Sequence, residues 1–221
     1  MLKPKALIFD YGNVLCQPQR PSDIEAMAAA CGLTLDNFQR YYWQLREEFD
    51  RADFDVTTYW QEIGHRSGSS LTGQQVQEAI LLDCQSWSRP CARTMQWVQQ
   101  LSQAGIKTAV LSNMPLALRE YIDANCAWLN GFDHKVFSCD VLSIKPDEKI
   151  YRHCLELLQL DPDETLFLDD RSANVEAAQK IGMKSVIFTT LDETIEELRS
   201  IFDLPLPQRA DRASSASNCA I

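Results

Sequence analysis

The chain has 221 residues, 45% apolar and 24% charged, proportions that exclude general disorder, collagen and coiled coil. At that length roughly 70% of the unfolded surface can leave water, enough for one domain with an inserted module or for two small domains. The 21 Lys+Arg against 31 Asp+Glu leave a net charge of −10, a field that repels a polyanion and argues against nucleic acid as a partner.

The first apolar run, Ala6 to Phe9, reads as a strand buried on both faces, because it is continuous rather than alternating. It stops at Asp10, far short of a secretory leader or a membrane span of about 20 residues. A cytoplasmic protein with no membrane partner is therefore expected. The stretch 17–90 has no comparable run and is rich in helix formers and aromatics (Phe38, Tyr41, Tyr42, Trp43, Phe49, Tyr59, Trp60), with Gly64, Gly68 and Gly73 marking a break. It is expected to be a helical insertion. Tyr41, Tyr42, Trp43 and Trp60 suit core positions, one or two of them facing an entrance, and Arg20, Arg40, Arg46 and Arg66 mostly suit a solvated face, with about one of the four expected to touch a substrate anion.

Beyond 90, helices and strands alternate. Trp97, Val98, Leu101 and Ala104 keep a helical period that Gly105 ends, and Thr108–Leu111 is the next strand. Val136-Phe137 is a weaker strand. Ile150, Tyr151, Cys154, Leu157 and Leu158 predict a helix with Pro146 in its first turn. Thr165–Leu168 is a strand, Val175, Ala178 and Ile181 a helix closed by Gly182, and Val186–Phe188 the last strand. The alternation predicts an α/β fold, a doubly wound parallel sheet. The expected organisation is a core of 1–16 and 91–204, the helical insertion at 17–90, and a polar, disordered tail at 205–221. The 8 cysteines form no CxxC pair, which points to reduced, mostly buried thiols. His65, His134 and His153 are too widely separated to suggest a metal site or a triad.

Chemistry collects where strands end. Asp10 follows the first strand, Ser112-Asn113 the second, and Asp169-Asp170 the strand at 165–168. Singly these residues suit turns and helix caps. Together they would meet in one crevice, because ligands of an open parallel sheet bind at the carboxyl ends of its strands.

Four segments, in order, resemble the haloacid dehalogenase-like hydrolase superfamily. They are Ile8-Phe9-Asp10-Tyr11-Gly12-Asn13-Val14-Leu15, Val110-Leu111-Ser112-Asn113, Ile144-Lys145-Pro146-Asp147-Glu148-Lys149-Ile150-Tyr151, and Phe167 through Ala178. The insertion at 17–90 resembles the family's small α-helical cap. The resemblance implies a phosphatase of small phosphate esters, with Asp10 as a nucleophile that becomes an aspartyl-phosphate. It implies Mg²⁺ held by Asp10, the Gly12 carbonyl and Asp170, with Asp169 supporting it directly or through water. Lys145 and Ser112 would act on the phosphoryl oxygens, and Gly12, Asn13 and Asn113 would help to bind substrate. A cation is physically required, since a carboxylate approaching a phosphate near-dianion at about 3.5 Å meets a repulsion on the order of 10 kcal/mol.

One departure bears on the reaction. Many phosphatases of this family carry an acid two residues after the nucleophile, as general acid and base; here the position is Gly12. That loss is ordinarily worth roughly 10²–10⁴-fold in rate. It implies a substrate whose leaving oxygen needs little protonation, such as a hexose 1-phosphate. The alternatives are a catalytically weak binding protein and a metal-free 2-haloacid dehalogenase. The paired acids count against the last, because without a cation they repel the nucleophile. Asn174 stands where many relatives carry a further acid, and the neutral amide weakens the expected outer support of the metal.

Overall fold

The computed structural model describes residues 1–207. Five parallel strands form one sheet in the order β3-β2-β1-β4-β5: β1 Ala6–Phe9, β2 Lys107–Ser112, β3 His134–Phe137, β4 Thr165–Asp169 and β5 Lys184–Ile187. From β1 the chain builds outward through β2 and β3 on one side, then crosses to β4 and β5 on the other. The change of direction lies between β1 and β4, where an open sheet leaves a crevice beyond its strand ends. Phe9 pairs with Val110 and with Leu168, so Asp10 and Asp169 leave the sheet at the same level.

Alternation along the strands supplies both faces. Leu7, Phe9, Val110, Leu166 and Leu168 join one buried cluster with Trp97, Val98 and Leu101. Ala6, Ile8, Ala109, Leu111 and Phe167 join another with Ile150, Tyr151, Cys154 and Ala178. The helices that cover these faces are α6 Ala92–Gln103, α7 Leu116–Asn125, α9 Glu148–Leu158, α10 Ser172–Lys180 and α11 Leu191–Ile201, with a short α8 at Ser138–Val141 after β3. Gly105 and Gly182 take φ of 75° and 93°, conformations that end a helix cheaply only at glycine.

Several boundaries differ from expectation: β2 runs from Lys107 to Ser112, β3 already starts at His134, and β4 ends on Asp169. β5 starts at Lys184 rather than Val186, because Ser185 and Val186 pair with Phe167 and Leu168, while the Phe188 N–H still bonds to the Asp169 carbonyl at 2.9 Å. Pro146 precedes α9 instead of lying in its first turn. Ile144–Asp147 form a separate tight turn, closed by the Asp147 N–H on the Ile144 carbonyl at 2.8 Å, with Lys145-Pro146 cis.

Between β1 and α6 lie five helices: α1 Pro21–Ala30, α2 Leu35–Gln44, α3 Arg46–Asp50, α4 Val56–Arg66 and α5 Gly73–Ser86. The Thr34 and Asp55 side chains accept from the N–H groups of Asn37 and Thr58, and Thr72 with Gln75 forms a reciprocal box, so three of these helices start on capped ends. They enclose their own apolar cluster, with Phe38, Tyr42, Tyr59, Trp60 and Ile63 at its centre. The chain leaves the sheet and returns to it side by side. Cys16 bridges to Pro90, the Gln17 N–H bonds to the Arg89 carbonyl at 2.8 Å, and Arg89 pairs with Asp23 at 2.6 Å.

Cys16, Cys31, Cys84, Cys126, Cys139 and Cys154 are free and buried. Cys91 departs from the expectation of thiols throughout, being disulfide-bonded. Of the tail expected from 205, residues 208–221 lie outside the described residues. Leu204 and Leu206 pack on the sheet cluster, and the Pro205 carbonyl accepts the Trp97 indole N–H at 2.8 Å. Among the described residues no helix is long and apolar enough to cross a membrane.

Candidate active site

Asp10 is the first residue past β1, its N–H bonded to the Leu168 carbonyl at 2.8 Å. The chain then curls back: the N–H groups of Leu15 and Cys16 both bond to the Tyr11 carbonyl, at 3.0 and 2.8 Å. Asn13 takes φ 59° within that curl, a left-handed conformation that asparagine tolerates. From there its amide donates to Asp170 Oδ2 at 2.7 Å. The predicted residues Asp10, Gly12, Asn13, Ser112, Asn113, Lys145 and Asp170 all line one cavity of about 410 Å³, and Asp169 lies beneath it.

Lys145 is the hub. Its ammonium reaches Asp10 Oδ1 and Asp169 Oδ2, each at 2.7 Å, and the Leu111 carbonyl at 2.8 Å, so its three protons are all placed. The tight turn at Ile144–Asp147 aims it inward. Asn113 then holds its backbone at both ends, accepting from the Lys145 N–H at 2.7 Å and donating to the Lys145 carbonyl at 2.9 Å. With its amide committed in this way, Asn113 acts on Lys145, whereas the sequence suggested contact with substrate. Burial works against the ammonium, but Asp10 and Asp169 outweigh it and raise its pKa.

Asp169 is saturated. Its Oδ1 accepts from the Arg171 N–H and the Asn174 amide, each at 2.9 Å, and its Oδ2 accepts from Lys145 and from Asn174 at 3.1 Å. Asn174 thus holds both oxygens of this carboxylate. Asp10 Oδ1 also accepts the Tyr11 N–H at 2.7 Å, which leaves Oδ2 without a hydrogen bond from the described residues. Burial lifts the Asp10 carboxyl above its ordinary value; Lys145 opposes the lift, and Asp169 and Asp170 add to it. Asp170 is also raised by burial, against the hydrogen bond from Asn13.

Asp10, Asp169 and Asp170 each offer an oxygen within 4.8 Å of the others. Against this concentration of negative charge the cluster itself holds the single ammonium of Lys145. A hard divalent cation fits such a set of oxygens in both charge and chemistry. The Ser112 hydroxyl borders the cavity and donates to the Asn113 carbonyl at 3.3 Å, a weak bond that a better acceptor can replace.

The helical segment supplies the opposite wall, and here the sequence reading needs correction. Arg46 is buried instead of solvated: its guanidinium pairs with Asp50 at 2.8 Å and Asp83 at 3.6 Å and donates to the Tyr42 hydroxyl at 2.8 Å. Burial lifts the Asp50 carboxyl to about 6, with Arg46 only partly opposing it. The Ser138 hydroxyl joins this wall to the sheet, donating to the Asp50 carbonyl at 2.5 Å and accepting the Met114 N–H at 2.8 Å. Tyr42 and Trp60 are core residues, whereas Trp43 stands 50% exposed at the cavity. Trp87 was not anticipated. Its six-membered ring lies against Gly12, where an added Cβ would sit 3.4 Å from Cζ3. The four-residue spacing of Arg46 and Asp50 was a readable signal of their pairing; nothing local marks Trp87.

A buried carboxylate at the end of β1, an acid pair at the end of β4 and a lysine from the turn before α9 coincide with a family match. The model of the haloacid dehalogenase-like hydrolases fits residues 4–182. The chain belongs to that family. It is 28% identical over 198 residues to the sesquiterpene phosphatase astK of Aspergillus oryzae, covering 89% of this chain and 96% of that one. Four other relatives are much longer, the chain spanning 14% to 23% of their length. Among solved structures it resembles a family enzyme of Bacteroides thetaiotaomicron in complex with magnesium and inorganic phosphate, at TM-score 0.67 and 18% identity, covering 85% of this chain and 94% of that one. It also resembles the L-2-haloacid dehalogenase of Xanthobacter autotrophicus, at TM-score 0.64 and 22% identity, covering 98% and 92%. At these identities the structural likeness concerns the fold.

Proposed function

We propose that this chain is a magnesium-dependent phosphomonoester hydrolase that acts on a small phosphorylated metabolite in the cytoplasm through an aspartyl-phosphate on Asp10. The observation that carries the reading is the juxtaposition of Asp10, Asp169, Asp170 and Lys145 around one cavity. The phosphatases among its relatives, and the magnesium and phosphate bound by a protein of the same fold, agree with it.

In this reading Asp10, the Gly12 carbonyl and Asp170 would hold the cation, and Asp169, whose lone pairs are already committed, would support it through water. When bound, the metal supplies positive charge against the phosphoryl oxygens and lets two anions approach. The Asp10 oxygen left free attacks phosphorus in line with the leaving group. Lys145 keeps that carboxylate oriented and adds its own charge beside the transferring group, and the Ser112 hydroxyl turns from the Asn113 carbonyl to donate to a phosphoryl oxygen. Water then cleaves the acyl phosphate and restores the carboxylate. Residues 17–90 serve as the cap over a core of 1–16 and 91–204, shielding the intermediate. With Gly12 in place of an acid, the favoured class is esters whose oxygen departs with little protonation, which takes in both a hexose 1-phosphate and an aryl phosphate.

Three clustered carboxylates, two of them buried, count against metal-free displacement of halide, and a complete Lys145 network counts against a binding role without catalysis. The deciding experiment measures phosphate release from a panel of phosphomonoesters with magnesium and with chelator. The expected result is turnover with magnesium that chelator abolishes and that Asp10→Asn lowers at least a thousandfold. Absence of turnover on every ester at high enzyme concentration would overturn the reading. Chloride release from 2-chloropropionate that chelator leaves unchanged would replace it with the dehalogenase.

A further inference from the structure

The side-chain space beside Gly12 is taken by an aromatic ring that crosses over from the end of the helical segment. A Cβ at Gly12 would lie 3.4 Å from Trp87 Cζ3 and 3.9 Å from Cη2, already in contact. A carboxylate built beyond that Cβ would have to displace the indole or turn from it. Trp87 is fixed at both ends. The Tyr11 hydroxyl donates to its carbonyl, and its indole N–H donates to the Tyr42 hydroxyl at 3.3 Å, which is itself anchored on Asp83 at 2.6 Å. Met114 and Leu118 continue the apolar wall, and Trp43 stands at its outer end. The buried polar groups on that side, Arg46, Asp50 and Asp83, are spent on one another.

From this we infer that Trp87 is a specificity residue: it selects phosphate monoesters in which the ester oxygen is carried by a flat apolar ring, aryl phosphates in preference to alkyl or polyhydroxylated ones. The inference rests on the phosphatase reading and names its substrate class. Two needs converge on such a group. An indole wall gains most from a flat apolar partner. A site without a proton donor at Gly12 gains most from an oxygen that leaves as a stable anion, and a phenol, with a pKa of roughly 10, is far more acidic than an alkanol. In the step, Asp10 forms a new bond to phosphorus as the bond from phosphorus to the ring oxygen breaks, and the electron pair leaves with that oxygen as phenoxide. One water then cleaves the acyl phosphate. Its oxygen ends on phosphate, and its two protons divide between phosphate and phenoxide, so that aryl phosphate and water give phenol and hydrogen phosphate.

The test compares kcat/KM for 1-naphthyl, phenyl and n-butyl phosphate and glucose 1-phosphate in the wild type, Trp87→Leu and Trp87→Phe. The two aryl esters leave with similar ease, so a wild-type preference of several-fold for naphthyl over phenyl reads the apolar contact itself. Trp87→Leu should lower the naphthyl value about tenfold or more, change the butyl and glucose values by less than about threefold, and leave competitive inhibition by inorganic phosphate unchanged. Trp87→Phe should keep most of the naphthyl preference. Equal loss on all four esters, no loss in Trp87→Leu, or no naphthyl preference in the wild type would each overturn the inference, the last without needing any variant to fold. Absence of turnover on all esters would instead remove the phosphatase reading beneath it.

Discussion

Asn174 shows how far the site depends on side chains that hold other side chains. Its amide meets both oxygens of Asp169, and a residue fixing an outer support of this kind is typically worth 10–100-fold. Asn174→Ala is expected to lower kcat about 10- to 100-fold and to raise the magnesium concentration for half-maximal rate, both read from a metal titration of phosphate release. The sequence suggested that a neutral residue here would weaken the metal's surroundings. The geometry gives it a different task, since an amide can donate to a carboxylate where a second acid could only repel it. Asp10, Ser112, Asp169 and Asp170 were readable because they follow apolar runs directly, so one-dimensional position implied convergence; Lys145 follows no strand run and was marked only by the family resemblance of its segment. Trp87 was not, because it meets the Tyr11 neighbourhood from 76 residues away, and that placement exists only once the helical segment has packed. Asp50 carries a pH signature of its own. Burial raises its pKa from 3.8 to about 6, so the folded state holds this proton more tightly than the unfolded chain. Its contribution to stability is present below about pH 4 and is lost as pH rises through 6. The melting temperature of the wild type minus that of Asp50→Asn should therefore fall between pH 4 and pH 7, and a rise would show that Arg46 dominates.

At the scale of elements, buried strands were legible from continuous apolar text, and helices from period and glycine stops. The start of β5 was not, since Lys184 and Ser185 carry no strand signal and are drawn in by pairing with β4. In the helical segment the glycines were read as breaks, yet Gly64 lies inside α4, and its reason is packing. A Cβ there would approach Leu71 Cγ to 2.7 Å. Glycine to alanine within a helix ordinarily stabilises by roughly 1 kcal/mol, whereas overpacking a filled core costs about 1–3 kcal/mol. Gly64→Ala is accordingly expected to destabilise, and a urea midpoint above the wild-type value would contradict the close packing of α4 against Leu71.

For the molecule as a whole, charge is the unifying constraint. A chain with a net charge of −10 concentrates three of its carboxylates within 4.8 Å of one another and offsets them there with one buried lysine. A ligand that binds only the folded state stabilises it by about 2.7 kcal/mol at a hundred times its dissociation constant. Magnesium should raise the melting temperature of the wild type in a concentration-dependent way, and sodium at matched ionic strength should not. Asp170→Asn should lose most of the shift, and an undiminished shift in that variant would move the cation elsewhere.

The paired crossings at Cys16–Gln17 and Arg89–Pro90 have a consequence for descent and for engineering. Because the outgoing and incoming threads are stitched together, the sheet ends in a fixed socket whatever is plugged into it. Under the proposed function, exchanging the plug would retune which molecules are admitted while the acids and the lysine below stay where they are, with one exception: Trp87 lies on the plug side of the return crossing, so a graft cut after it would carry away the old selectivity and leave Gly12 without its indole neighbour.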